Sequence, residues 1–183
     1  MAIAVAVAFV LKTFVAQAYY IPSESMRPQL DIGDRVLVSK LAYDLHDPHR
    51  GDIVVFSSPE KSASTGHDNA VVGFFKDVVE GIGLKEPDED VLIKRVIALP
   101  GEVVEGKNGH VFVNGLQLYE PYLPSSLATE DFPPRQVPPN SLWVMGDNRL
   151  QSRDSHIFGP IPESSVVGRA IGKVWPPGAT SFL

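Results

Sequence analysis

The stretch Glu102-Val-Val-Glu-Gly106-Lys-Asn-Gly-His110-Val-Phe-Val-Asn-Gly115-Leu-Gln-Leu118 decides the fold class. Two β-rich runs, Glu102–Glu105 and His110–Val113, flank Gly106-Lys-Asn-Gly109 and read as a hairpin. Asn114-Gly115 is a strong two-residue turn into a third run, because Asn and Gly both tolerate the positive φ that such turns require. The segment from Gly101 to Asn108 also comes close to a phosphate-binding loop. It lacks the Ser or Thr that would hold Mg²⁺ after the lysine, and it lies between strands with two acidic side chains. The hairpin is the better reading.

Outward from this stretch the same pattern repeats. Asp34–Lys40, Gly51–Phe56, Val91–Leu99, Ser141–Met145 and Val166–Trp175 are short runs rich in Val, Ile, Leu and aromatic residues, bounded by Gly, Pro, Asp or Ser. The spacing predicts a mainly β fold of antiparallel sheets or a partly open barrel. Sixteen prolines and 15 glycines among 183 residues argue against a helical bundle. Residues 57–90 read as an insertion, with Phe74, Phe75, Val78, Val79 and Ile82 at helical spacing. Residues 102–140 read as an accessory β subdomain, ending in a proline-rich irregular connection from Glu120 to Asn140.

The chain starts differently. Met1 to Leu11 are all apolar, and apolar character resumes to Ile21 around Lys12, Thr13 and Gln17. Some twenty such residues just suffice to cross a bilayer as a helix. A transmembrane anchor over residues 1–20 is the expectation, with residues 21–183 as the folded domain. Two alternatives stay open. Ala16-Gln17-Ala18 has the small-residue spacing of a secretory cleavage site, although no positive region precedes the apolar run. The alternation of Ala with Ile and Val also suits a buried strand. The abrupt apolar beginning leaves room for a preceding cytoplasmic leader.

Acidic residues outnumber basic ones 22 to 16, for a net charge of −6, so a groove for nucleic acid is not expected. With no cysteine, disulfides, thiol nucleophiles and Cys-based zinc sites are excluded. His46 and His49 have no third ligand in the pattern and read as solvated loop residues. No G-x-S-x-G elbow is present. Asp154-Ser155-His156 contains triad residue types, but neighbours in an extended chain point to opposite faces and cannot relay among themselves.

The chemistry lies in four short segments: Tyr20-Ile-Pro-Ser23-Glu-Ser25-Met26-Arg-Pro28, Arg50-Gly-Asp-Ile-Val-Val-Phe56, Ile93-Lys94-Arg95-Val-Ile-Ala-Leu-Pro100-Gly101, and Met145-Gly-Asp-Asn-Arg149 with Ser152, Asp154, Ser155 and His156. A serine hydroxyl needs a base, and a lysine can serve once burial strips its proton. Lys94 stands among Val91-Leu-Ile93 and Val96-Ile-Ala-Leu99. Strand alternation turns it inward while Arg95, on the other face, stays in water. Alone, Lys94 would read as an exposed strand residue.

In these segments, and in their order along nearly the whole chain, the sequence resembles the type I signal peptidases. These are membrane-bound serine endopeptidases that remove signal peptides from exported proteins. The insertion ending in Pro87-Asp-Glu-Asp is most similar to actinobacterial members. The resemblance implies a single-pass protein of the bacterial cell membrane, with the catalytic domain on the extracytoplasmic side and a Ser/Lys dyad. Ser25 is then the nucleophile and Lys94 the general base. Ser23, with Ser25, holds the oxyanion; Ser152 orients the lysine; Ile21 and Ile93 line the substrate pockets. Where many members carry D-S-R, this chain has Asp154-Ser155-His156, as plastid and cyanobacterial members do. Bracing by Asp154 and His156 is then open to pH. Preprotein signal peptides and the lipid bilayer are the implied partners, and no metal or organic cofactor is implied. Two rivals make other demands. A LexA-like self-cleaving repressor would carry a helix-turn-helix and no anchor. A tethered β module without activity would keep Ser25 and Lys94 apart.

Overall fold

The computed structural model describes residues 16–59 and 91–183. Within them the chain forms two antiparallel sheets. The larger runs in the order β1 (Ala16–Tyr20), β2 (Arg35–Ser39), β11 (Val166–Trp175), β3 (Ile53–Ser57), β4 (Val91–Ala98), β9 (Ser141–Met145) and β10 (Ile161–Pro162), with β12 (Ser181–Phe182) paired to β11. The smaller runs β7 (Leu116–Gln117), β6 (His110–Val113), β5 (Val103–Lys107), β8 (Phe132–Gln136). Two one-turn helices, Ala42–Leu45 and Ser155–Phe158, are the described α-helices. The sheets are open, and the fold is mainly β as the sequence pattern requires.

The hairpin turns form where Asn and Gly stand. Asn108 and Asn114 have φ of 53° and 52°, and Gly109 and Gly115 follow at 80° and 77°. Both are two-residue turns matched to the twist of their strands. β5 continues to Lys107, paired with His110, so the first turn is tighter than the four residues from Gly106 to Gly109. Gly106 serves a different end. A side chain there would meet Glu130 O at 2.5 Å and the Phe132 ring at 2.6 Å, so only glycine lets β8 close on β5.

β8 contains Pro133 and Pro134, which the sequence pattern assigned to an irregular connection. Proline cannot donate to a sheet ladder, but β8 is an edge strand with one partner, and there proline is tolerated. Val104 and Val111 of the small sheet, with Val137 just after β8, pack with Ile97, Trp143 and Met145 of the large one. Each such fully buried side chain contributes ~1.5–3 kcal/mol, so the two sheets share one apolar seam.

The expectation of a transmembrane helix over residues 1–20 needs correction at its end. Ala16–Tyr20 is strand β1, paired residue for residue with Arg35–Ser39. The β-branched strand β2 recruits it to the edge of the sheet, so a membrane span cannot reach Tyr20. Residues 1–15 lie outside the described residues, as does the helix expected within the insertion, residues 60–90. Among the described residues no helix is long and apolar enough to cross a membrane.

Candidate active site

Ser25 sits on the loop that joins β1 to β2. This loop is tied at its base, where Ile21 N–H donates to Asp34 O at 2.9 Å and Gly33 N–H to Ile21 O at 3.0 Å. Met26 and Leu30 plug it into the core. Arg27 bridges Glu24 and Asp31, both at 2.8 Å. A serine on so braced a loop is held in one place.

Lys94 lies in the middle of β4, opposite Val54 of β3, and is 3% exposed. Its Nζ donates to Ser25 Oγ at 2.7 Å and to Ile93 O at 2.8 Å. Burial pushes its pKa down from 10.5 to about 8, while the charges of Asp154 and Asp147 pull the other way. Desolvation wins, because an ammonium taken out of water loses more than two distant carboxylates return. The neutral amine can reverse the same contact and take the Ser25 proton. Ser25 is itself buried, so hydroxyl and amine meet in a dry place.

The Ser23 hydroxyl stands 3.3 Å from Ser25 Oγ, close enough to serve an oxygen bonded near Ser25. Ile21 and Ile93 are buried in one apolar cluster beside the serine loop. Ser152 Oγ is buried without a hydrogen-bond partner among the described residues, and the bonds of Lys94 go elsewhere. Ser152 is nonetheless at the site. A side chain on Gly146 would meet Ser152 Oγ at 2.2 Å and Ser25 O at 2.4 Å, so glycine alone permits this approach. Asp154 is fully buried; it accepts from Gly146 N–H at 2.8 Å and lies 2.6 Å from His156 Nδ1. That bond raises the His156 pKa above its ordinary value, against the opposing effect of burial.

Arg95 departs from expectation. It does point away from Lys94, but not into water, being 7% exposed. Its Nε and one terminal nitrogen hold both oxygens of Asp147, at 2.8 and 2.7 Å, and the other donates to Gly51 O at 2.8 Å. The second face of β4 is covered by the small sheet and its connection, which the local sequence of β4 does not reveal. From that connection come Glu120, Tyr122 and Thr129, which contact Arg149 and Arg95 and which the sequence pattern did not single out. A lone Glu and Tyr in a proline-rich link carry no motif. Asn148 N–H completes the assembly by donating to Ser25 O at 3.0 Å. Among the described residues no cluster of three or more His, Asp or Glu has metal-holding geometry.

Residues 1–175 match the family described as "Signal peptidase, peptidase S26". The chain belongs to this family. It is accordingly a serine endopeptidase of the signal peptidase I type. It is 39% identical to a signal peptidase I of Leptolyngbya laminosa over 95% of this chain and 76% of that protein. It is equally close to a signal peptidase I of Mycobacterium tuberculosis, over 96% of this chain and 70% of that one. A thylakoidal processing peptidase of Arabidopsis thaliana is 35% identical over 97% of this chain and 47% of its own length. A solved signal peptidase I from Enterococcus faecalis aligns over 67% of this chain and 95% of its own, at 29% identity and a TM-score of 0.47.

Proposed function

We propose that this peptidase cleaves signal peptides from exported preproteins at a membrane surface, with Ser25 as nucleophile and Lys94 as general base. The observation that carries the reading is the 2.7 Å contact between Lys94 Nζ and Ser25 Oγ, made by a lysine withdrawn from water. In the reaction neutral Lys94 takes the Ser25 proton as Oγ attacks the scissile carbonyl. The Ser23 hydroxyl donates to the developing oxyanion. The resulting ammonium protonates the leaving amine, and a water activated by the same lysine releases the acyl group. Ser152, buried beside Gly146, orients the amine between these steps. Ile21 and Ile93, packed in the apolar cluster beside the Ser25 loop, are assigned to line the pockets for small side chains at the −1 and −3 positions of a signal peptide.

The membrane part of the reading rests on the apolar residues 1–15 leading straight into β1. It draws support from Tyr20, Arg35 and Trp175, which lie in register across β1, β2 and β11 and are all exposed. Aromatic and basic side chains side by side are suited to the headgroup level of a bilayer. The domain division proposed is a membrane-seated apolar segment that ends before Ala16, followed by the catalytic domain. In a test, the protein in detergent is given a preprotein with Ala at −3 and −1. The expected result is one cut after −1, lost in Ser25→Ala. A Ser25→Ala protein that still cuts there would refute the reading.

A further inference from the structure

The connection from β7 to β8 forms no strand or helix between Leu118 and Asp131, yet it reaches the turn that follows β9. Arg149 on that turn is 3% exposed. Its guanidinium donates to Glu120 Oε2 at 2.9 Å, to Thr129 Oγ1 at 2.8 Å and to Gly146 O at 3.1 Å, and a further bond goes to Glu120 Oε1. The Tyr122 hydroxyl donates to the same Glu120 Oε1 at 2.6 Å. Burial, with the Glu120 charge, pushes that phenol up, so it stays a donor. The Tyr122 ring meanwhile lies 3.9 Å from the guanidinium carbon of Arg95, which grips Asp147. Glu120 and Tyr122 thus hold two buried cations, and each cation holds the backbone or carboxylate of the turn Gly146–Arg149.

That turn is what touches the Ser25 loop. Asn148 donates its backbone N–H to Ser25 O and its amide to Glu24 O at 3.2 Å, and Gly146 packs against Ser25 O. Arg95 follows Lys94 directly on β4. One clamp therefore ends on the serine loop and the other on the lysine strand. A buried guanidinium that loses its carboxylate is left an uncompensated charge, and the groups it holds lose a firm anchor.

We propose that Glu120 and Tyr122 are positioning residues for the peptidase reaction: acting through Arg149 and Arg95, they keep the Gly146–Arg149 turn where it presents Ser25 to Lys94. The inference rests on reading Ser25 and Lys94 as the reacting pair. Neither Glu120 nor Tyr122 touches them, so the effect falls on kcat, and the connection between the sheets sets the rate without meeting substrate.

The experiment compares Glu120→Gln and Tyr122→Phe with the wild type in detergent, measuring kcat and KM on a preprotein and Tm by circular dichroism. Val111→Ala, in the core of the small sheet and outside the Gly146–Arg149 turn, serves as a destabilised control. Glu120→Gln keeps the shape but not the charge, and a displacement of about 1 Å at the reacting atoms gives a kcat loss of ~10²-fold with KM nearly unchanged. Tyr122→Phe removes one hydrogen bond and keeps the ring, for a loss of roughly 3–10-fold. Wild-type kcat in Tyr122→Phe, or in a folded Glu120→Gln, overturns the proposal. So does a loss no greater than that of Val111→Ala at matched change in Tm. Should Glu120→Gln fail to fold, Tyr122→Phe decides alone. Ser25→Ala is run alongside: if it is inactive while both variants match wild type, this inference falls and the dyad stands, whereas an active Ser25→Ala removes the dyad.

Discussion

Replacing Lys94 by Arg separates a base from a mere cation. In its buried setting the lysine pKa falls from 10.5 to about 8. At pH 7 about one molecule in ten then carries the neutral amine, against roughly one in three thousand for a lysine in water, a gain of about 300-fold in active base. Arginine starts at about 12.5–13.8, and an equal depression still leaves at most about one in a thousand neutral. Protonation alone therefore lowers the rate by ~10²-fold or more. The planar guanidinium also needs room that Ser25 Oγ, at 2.7 Å, already occupies. The combined loss should reach ~10³-fold or beyond and approach that of Ser25→Ala, because the two groups act as one unit. The assay is initial-rate cleavage of a preprotein in detergent from pH 6 to 9, with circular dichroism on each variant. Wild-type kcat/KM should rise about tenfold per pH unit at first and flatten near pH 8. A folded Lys94→Arg enzyme retaining a tenth of wild-type activity would refute the argument, as would a flat wild-type profile.

The same burial has a cost in stability. A base whose pKa is depressed by folding binds fewer protons in the native state, so wild-type stability should climb with pH between about 8 and 10.5. Lys94→Met should accordingly be more stable in urea by ~3 kcal/mol at pH 6, with the gap narrowing by roughly 1 kcal/mol at pH 9; a pH-independent gap contradicts this. Ser23→Ala should lower kcat by ~10²–10³-fold as an oxyanion donor is lost, and an unchanged kcat would remove Ser23 from that role. Gly146→Ala should inactivate the enzyme while it stays folded, since the new methyl meets Ser152 Oγ at 2.2 Å and Ser25 O at 2.4 Å; full activity would show that the turn yields freely. The raised pKa of His156 means that its pairing with Asp154 stabilises the fold fully below the ordinary histidine value of about 6.5 and is lost as pH rises through the raised one. His156→Gln should therefore lose most stability in urea at pH 5.5 and little at pH 9, and a constant difference would exclude the pairing.

Much of the molecule is legible in the order of its residues. Short valine-rich runs bounded by Gly, Pro, Asp or Ser, with Asn-Gly turns on both sides of β6, dictate antiparallel strands because alternation and positive-φ turns are properties of neighbouring residues. β2, β3, β4, β5, β6, β9 and β11 follow from them. The Ser25 and Lys94 segments were also readable, through their company with the Gly146-Asp147-Asn148-Arg149 segment. What the sequence could not decide depends on contacts distant along the chain. Ala16–Tyr20 looks apolar enough for a membrane and becomes a strand only because β2 offers it a partner. Phe132–Gln136 looks unfit for a strand and is accepted only because it falls at an edge. Arg95 looks solvated until Asp147, 52 residues on, and Tyr122 close over it. For the same reason Lys94 has a lowered pKa. Its type and position are written in β4, but the loss of water that lowers its pKa is the work of Ser25, 69 residues away, and of the sheet packed around both. Hydrogen-bonding periodicity is local and survives in a string of residues; desolvation is a sum over everything that surrounds a group, and exists only once the chain has folded.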